Sequence, residues 1–448
     1  MLDQLKNFRN SYKEVFEALP FLDCYISDME PAWEAVPAKP PVPFRELSFS
    51  SGALRLVKHT DVSFDELEVM AKTEPEVNFI IASGDQKLLY HETRIRELIT
   101  NFANIYLCTA NLCNVKILEK FVAAKLTSKL LFGTMYPYLD PGQAIGPLVL
   151  GDIDWQSKCD IAGNNLRRLL GEAPVDVPEM PQVEIPALMI DAHGHTINDE
   201  SQSRFPAPMS QPVWEQWEAK LDFFGITNFF NTPGEAISDV SKEPANLTRD
   251  FCVNSGGRVR YFEVYDPRCV ETSLAVLSRS LVDPMCIGIK IHPAEHFVDA
   301  DHPDYEAVFA TAAKYGKPIM THSWGVSSYN PRQKCASPEK FDKYLTLYPD
   351  AKFVFGHAGG RPNGFEHAVA MCRKHPQCMV DFAGDLFNNG FIARVIKEIG
   401  VDRVMFATDM YWIDPRCLLG QLMCIDELSD DDMLKILRFN AERFYLNK

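Results

Sequence analysis

The sequence has no Cys-x-x-Cys pair and no apolar run of about 18 residues, the length a membrane-spanning helix needs. Its opening, MLDQLKNFRNSYKEVF, lacks the apolar core of a signal peptide. The 12 cysteines are scattered singly, and the nearest two, Cys108 and Cys113, have no histidine beside them to complete a zinc site. Reduced, buried thiols are therefore expected rather than a disulfide framework. Basic residues are also in deficit: 45 Lys and Arg face 61 Asp and Glu, a net charge of −16. That balance argues against nucleic acid or an anionic membrane as partner. Together these absences predict a cytoplasmic protein acting on a small molecule.

A chain of 448 residues is too long for one ordinary core, so two domains are expected. The segment from Glu172 to Pro186, EAPVDVPEMPQVEIP, carries prolines at 174, 178, 181 and 186. Such density favours a stiff extended connector. It sets a first domain at 1–172, a linker at 173–186 and a second domain at 187–448.

Beyond the linker, strand-like and helix-like segments alternate. Strands are expected at Ala187–Asp191, Ile226–Phe230, Arg258–Tyr265, Cys286–Ile291, Pro318–Thr321, Lys352–Gly356, Cys378–Phe382 and Arg403–Ala407. Helices fall between them, at Val213–Phe224 before Gly225 and at Tyr305–Tyr315 before Gly316. Ser337-Pro338 reads as a helix cap followed by proline at the first helical position. Eight βα units predict a C-terminal (β/α)8 TIM barrel, an α/β fold. No G-x-G-x-x-G follows the first strand, which disfavours a dinucleotide-binding open sheet.

In such a barrel the chemistry sits at the C-terminal ends of the strands. The first strand ends in Asp191-Ala192-His193-Gly194-His195, the fourth in Lys290-Ile291-His292 and the fifth in Thr321-His322-Ser323-Trp324. The sixth ends in Gly356-His357-Ala358-Gly359-Gly360 and the eighth in Ala407-Thr408-Asp409. Two histidines at i, i+2 on a strand point the same way, as two imidazoles binding one metal must. A lone strand-end histidine is usually structural. Here five of the chain's 11 histidines (193, 195, 292, 322 and 357) fall at or beside strand ends on the catalytic face. The joint pattern points to a site. Trp324, Arg361, Tyr411 and Trp412 follow these residues closely and fit either pocket lining or ordinary loop packing.

The pieces IDAHGH, GIKIHP, PIMTHSW, FVFGHAGG and VMFATD, in that order, resemble the amidohydrolase superfamily, and within it the amidohydrolase-related group. That group includes metal-dependent hydrolases and non-oxidative decarboxylases related to aminocarboxymuconate semialdehyde decarboxylase. The resemblance implies that His193, His195, His322 and Asp409 bind a divalent metal, most readily zinc, with manganese or iron as alternatives. It implies a catalytic role for His357 and Asp409. Lys290 and His292, with Trp324 and Arg361, are expected as substrate or second-metal contacts, Lys290 lying where some relatives hold a carbamylated lysine.

The N-terminal half reads as a reduced copy of the barrel. Asn78-Phe79-Ile80-Ile81-Ala82-Ser83 matches Lys352-Phe353-Val354-Phe355-Gly356-His357, and Lys129–Met135 matches Arg403–Asp409, both at an offset of 274. The closing helices, Ile161…Asn165…Arg168 and Ile436…Asn440…Arg443, agree at 275. Ser83 thus stands where His357 stands, and Met135 where Asp409 stands. Leu22–Ser27 mimics the first strand at an offset of 168, with Tyr25 and Ser27 at the histidine positions, so the copy is shorter by 106 residues, about three βα units. His59 is the expected counterpart of His322. This smaller, incomplete barrel would expose strand edges needing a cover, from the second barrel or another subunit, and a homodimer is expected.

The expected activity is metal-dependent hydrolysis of a small amide, ester or lactone, with a metal-activated water, Asp409 as general base and His357 stabilising the developing negative charge. The alternatives are non-oxidative decarboxylation at the same ligand set, a metal-free hydrolase, or a non-catalytic binding scaffold.

Overall fold

The computed structural model describes residues 1–33, 41–84, 86–196, 214–238, 240, 245–327 and 330–447. Val213 and Lys448, expected ends of a helix and of the barrel, lie outside them. Four short parallel strands come first: β1 (Leu54–Lys58), β2 (Asn78–Ala82), β3 (Ile105–Cys108) and β4 (Leu130–Leu131). Eight more follow: β5 (Met189–Gly194), β6 (Ile226–Asn231), β7 (Val259–Tyr265), β8 (Cys286–Ile291), β9 (Ile319–His322), β10 (Phe353–Gly356), β11 (Cys378–Asp381) and β12 (Val404–Met405). Each set lies side by side in chain order. In β8 all six residues are buried, the pattern of a strand covered on both faces.

The eight-stranded sheet closes on itself. The Ala192 amide donates to the Phe406 carbonyl at 3.1 Å, and the Asp409 amide to the His193 carbonyl at 2.9 Å. Side chains such as Ile190, Phe230, Phe262, Met320, Val354 and Met405 form the cluster inside the ring. The C-terminal (β/α)8 TIM barrel expected from the alternation is present. The strand Cys286–Ile291 matches its expected bounds, and the other strands have ends that coincide or differ by one to three residues. The expected cap at Ser337 opens a 3-10 turn (Pro338–Phe341) that leads directly into the helix Asp342–Leu347, and its hydroxyl bonds Glu339 rather than a backbone amide.

The first domain repeats the closing bonds of the barrel. The Cys24 amide donates to the Phe132 carbonyl and the Met135 amide to the Tyr25 carbonyl, each at 2.9 Å. Asp23 binds the Thr134 hydroxyl and amide as Asp191 binds those of Thr408. The Asn165 amide group reaches the Thr127 and Leu130 carbonyls; Asn440 does the same at Val401 and Val404. Met135 and Asp409 both have left-handed backbone, φ 61° and 63°.

Two sequence expectations are corrected. Residues 43–48 bridge both open edges of the first sheet: the Asp23 amide donates to the Pro43 carbonyl at 2.8 Å, and the Leu56 amide to the Ser48 carbonyl at 3.0 Å. Among the described residues one extended segment thus stands in for three βα units and covers both edges. Second, the pairings Lys58↔Ala82 and His322↔Gly356 put Lys58, not His59, at the place of His322.

The halves dock through equivalent helices. Gly142–Val149 crosses Pro415–Met423, with Gly146 against Gly420, 274 residues on. A Cβ on Gly146 would sit 2.1 Å from the Arg416 carbonyl oxygen, and one on Gly420 2.0 Å from that of Gly142. Beside this crossing the fully buried Arg416 pairs with Asp414 and, across the halves, with Glu119. The proline-rich connector lies along the first domain, where Asn164 binds both the amide and the carbonyl of Val175.

Candidate metal centre

The ends of β5 and the turn after β12 bring His193, His195 and Asp409 together, with one ligand atom from each within 4.8 Å of the others. Each imidazole is oriented from behind. His193 donates its Nδ1 proton to Asp381 at 3.0 Å, and His195 donates its own to the Thr232 carbonyl at 2.8 Å. His357 does the same to the Ala383 carbonyl at 2.9 Å. Their Nε2 lone pairs are thereby left free on the other edge of each ring, the arrangement typical of metal-binding histidines.

Two contacts test whether an ion fits. His195 Nε2 faces Asp409 Oδ1 at 3.2 Å, and with Nδ1 already carrying a proton this contact needs a cation between the two atoms, a proton or a metal ion. His193 Nε2 accepts from the Lys290 ammonium at 2.6 Å, so a cationic group already sits where a ligand lone pair points. The donor set therefore fits a divalent ion held by His193, His195 and Asp409, with Lys290 moving aside or joining the site.

Burial sets the electrostatics. It pushes His193, His292 and His322 well below the usual imidazole range and His357 down to about 4, so all four rings are neutral at neutral pH. Burial also lowers Lys290 to about 8. Burial opposes ionisation of Asp409, yet the His195 hydrogen bond and nearby imidazoles hold its carboxyl well below the usual range.

The other expected residues line the same cavity of about 330 Å³. His322 lies beside the three-residue cluster rather than in it: its ring stacks on His292 at 4.0 Å, and its Nε2 donates to Gln333 at 2.8 Å, leaving Nδ1 as its lone-pair atom. Trp324 stacks on the far side of His322 at 5.6 Å. Arg361 stands over Trp324 and binds Asp385 at 2.8 Å. His195 packs against Trp412 at 4.8 Å. Tyr411 packs instead on Trp217.

Sequence reasoning missed Asp381, Gln333, Asp385 and Lys87. Asp381 also accepts the backbone amides of His357 and Ala383, so one buried carboxylate organises two strand ends. Its place at the end of β11, in CMVD, was the available signal.

A metal-binding cluster at the C-terminal mouth of a (β/α)8 barrel defines a class of metal-dependent enzymes. The chain belongs to the amidohydrolase family, whose profile matches residues 190–446, more than half of its length. Among solved structures it is similar to a 2,6-dihydroxybenzoate decarboxylase from Rhizobium, at 15% identity and TM-score 0.44, over 59% of this chain and 100% of that one. It is also similar to a 5-carboxyvanillate decarboxylase from Sphingomonas paucimobilis, at 14% identity and TM-score 0.41, over 52% and 83%. A third is the 5-carboxyvanillate decarboxylase of Novosphingobium aromaticivorans, solved with manganese, at 16% and 0.41, over 52% and 81%. No curated protein matches the sequence.

Proposed function

We propose that this is a metal-dependent enzyme that removes CO2 from a small carboxylic acid without redox chemistry. The observation that carries this reading is the buried, cation-lined pocket. His193, His195, His322 and His357 are all at least nine-tenths buried, and Trp324, Trp412, Lys290 and Arg361 line the same space. A carboxylate moved from water into such surroundings loses hydration that its dispersing charge no longer needs as the C–C bond breaks. CO2 departs, the electron pair stays on carbon, and that carbon takes up a proton.

A divalent ion, zinc or manganese, held by His193, His195 and Asp409 would polarise a substrate oxygen and draw off developing charge. Asp409, in contact with His195 Nε2, is placed to relay a proton towards carbon. His357, fixed through Nδ1, offers Nε2 to a substrate hydroxyl or carboxyl group.

Hydrolysis is the second reading, and one observation favours it: Asp409 is ionised, so a carboxylate oxygen beside His195 has a lone pair to accept a proton from water. One experiment separates the two. Protein loaded with zinc or manganese is incubated in H2¹⁸O with aromatic carboxylic acids, lactones, esters and amides. CO2 release without ¹⁸O in the remaining product supports decarboxylation. An ¹⁸O-labelled acid without CO2 supports hydrolysis. Loaded protein that turns over neither class overturns both.

A further inference from the structure

The net charge of −16 is not spread evenly over the chain. At the end of the barrel away from the metal cluster, a cavity of about 250 Å³ is lined by Arg260, Lys317 and Lys352, and no Asp or Glu among the described residues lines it. Arg260 is the second residue of β7, Cys286 opens β8, and Pro318 and Lys352 stand just before β9 and β10. The wall is thus made by the N-terminal ends of four neighbouring strands. Phe444, Tyr445 and Asn447, from the last turn of the chain, complete it. The Tyr445 ring packs edge-on against Phe230 and Phe262 at 5.2 and 5.5 Å, so this turn plugs the floor of the barrel.

The three cations are short of counter-charge. Lys317 donates to the Cys286 carbonyl at 2.5 Å, and Lys352 to the Phe444 carbonyl at 3.0 Å and to Asn447 Oδ1 at 3.1 Å. These acceptors are neutral: they fix the ammonium groups and leave both charges uncompensated. Capping of carbonyls explains the lysines, but it does not explain Arg260. Its Nε is buried without a hydrogen-bond partner. Asp283, next in sequence to the cavity residue Pro284, is already taken by Arg249 at 2.6 Å. A buried donor left unmade and three like charges around one space both cost stability, and an anion in that space answers both. Size and shape narrow its kind. A water fills about 30 Å³ of liquid, so the cavity has room for a tetrahedral oxyanion and a short arm or a few waters. A chloride or a single carboxylate brings one charge, whereas a phosphate brings up to two and enough oxygens to face three separate donors at once.

We propose that this cavity in the barrel floor binds a phosphate group, free or carried by a small ester. Arg260 supplies the forked donor, and Lys317 and Lys352 supply point charges from the other side. A bound anion ties the starts of β7 to β10 to the turn that plugs the barrel, so it stabilises the folded barrel from the end where no chemistry takes place. The site shares no lining residue with the metal cavity and stands apart from the reaction assigned there.

The test uses the full, metal-loaded chain, titrated by calorimetry with inorganic phosphate and with glycerol 3-phosphate at about pH 8, where both are largely dianionic. Arg260→Gln and, separately, Lys317→Gln should each weaken binding at least about tenfold, the scale of one charge-assisted hydrogen bond, with metal content unchanged. The probe should also raise the thermal midpoint of the wild type and leave that of Arg260→Gln where it was. If Arg260→Gln does not fold, Lys317→Gln carries the comparison. Binding of inorganic phosphate alone assigns the site to the free ion, and binding of glycerol 3-phosphate alone assigns it to an ester; either supports the proposal. Binding that survives both substitutions puts the anion elsewhere, in the metal cavity for instance, and overturns it. So does the absence of binding by either probe, and so does binding that appears only once Lys448 is removed, because the chain's own terminal carboxylate would then be the occupant.

Discussion

The carboxylate of Asp381 lies 3.0 Å from Nδ1 of His193, both side chains fully buried, and this contact decides which nitrogen of His193 is left to bind a metal. Removing such a backing carboxylate typically weakens metal affinity by about 10- to 100-fold. Asp381→Ala should show that loss in competition with a fluorescent zinc chelator, with the fold intact by circular dichroism. Unchanged affinity would mean that packing alone orients the ring.

His193→Ala should lose metal and turnover together, because a whole ligand is removed. Asp409→Asn should keep more of its metal, since the amide oxygen still donates, yet lose about 10²- to 10⁴-fold in kcat, the scale of one proton-transfer group. Elemental analysis beside kcat makes the comparison. An Asp409→Asn protein with full turnover would take the proton-handling role away from this residue.

Burial raises Asp140, in the first domain, to about 7. A carboxyl raised on folding adds stability that is complete below its unfolded value near 4 and is lost as pH rises through about 7. Asp140→Asn keeps an oxygen for the Gly142 amide, which Asp140 accepts at 2.9 Å, and cannot ionise. Its thermal midpoint should exceed that of the wild type at pH 8, with the gap narrowing as pH falls from 7 towards 4. A gap that is constant across this range would show that Asp140 does not titrate there.

Alanine is ordinarily worth about 1 kcal/mol over glycine inside a helix. Gly146→Ala should nonetheless destabilise, by about 1–3 kcal/mol or more, because its methyl would press on the Arg416 carbonyl across the interface. Urea unfolding measures the balance, and a neutral or stabilised variant would show that the two helices can separate without cost.

How much of this was readable in the chain follows from where the information lies. His193 and His195 were legible because i, i+2 spacing on a strand needs no tertiary knowledge. The eight strands were legible because glycine, proline and helical periodicity punctuate them. His59 was assigned one residue off because only the β1–β2 pairing fixes register, placing Lys58 there instead. Residues 43–48 escaped notice because an extended segment beginning at a proline, with polar neighbours, carries no alternation to mark it as an edge cover. Gln333, from a 3-10 turn, meets His322 only through the packing of that loop. Lys87 is the opposite case. Its offset of 274 from Arg361 was in the sequence, but only the way the two halves face each other brings its ammonium to 3.3 Å from Asp385.

The docking of Lys87 against Asp385 has a consequence for concentration. In an assembly of two separate chains, a residue lent by a neighbour is lost on dilution, and activity per chain falls as the assembly comes apart. Here lender and borrower are joined by the Glu172–Pro186 connector, so the local concentration of one half at the other is set by tether length and not by the amount of protein in the tube. Covalent joining also breaks the rule that governs symmetric pairs, in which every substitution is made twice. Ser83 can differ from His357 and Met135 from Asp409 without a matching change in the other half.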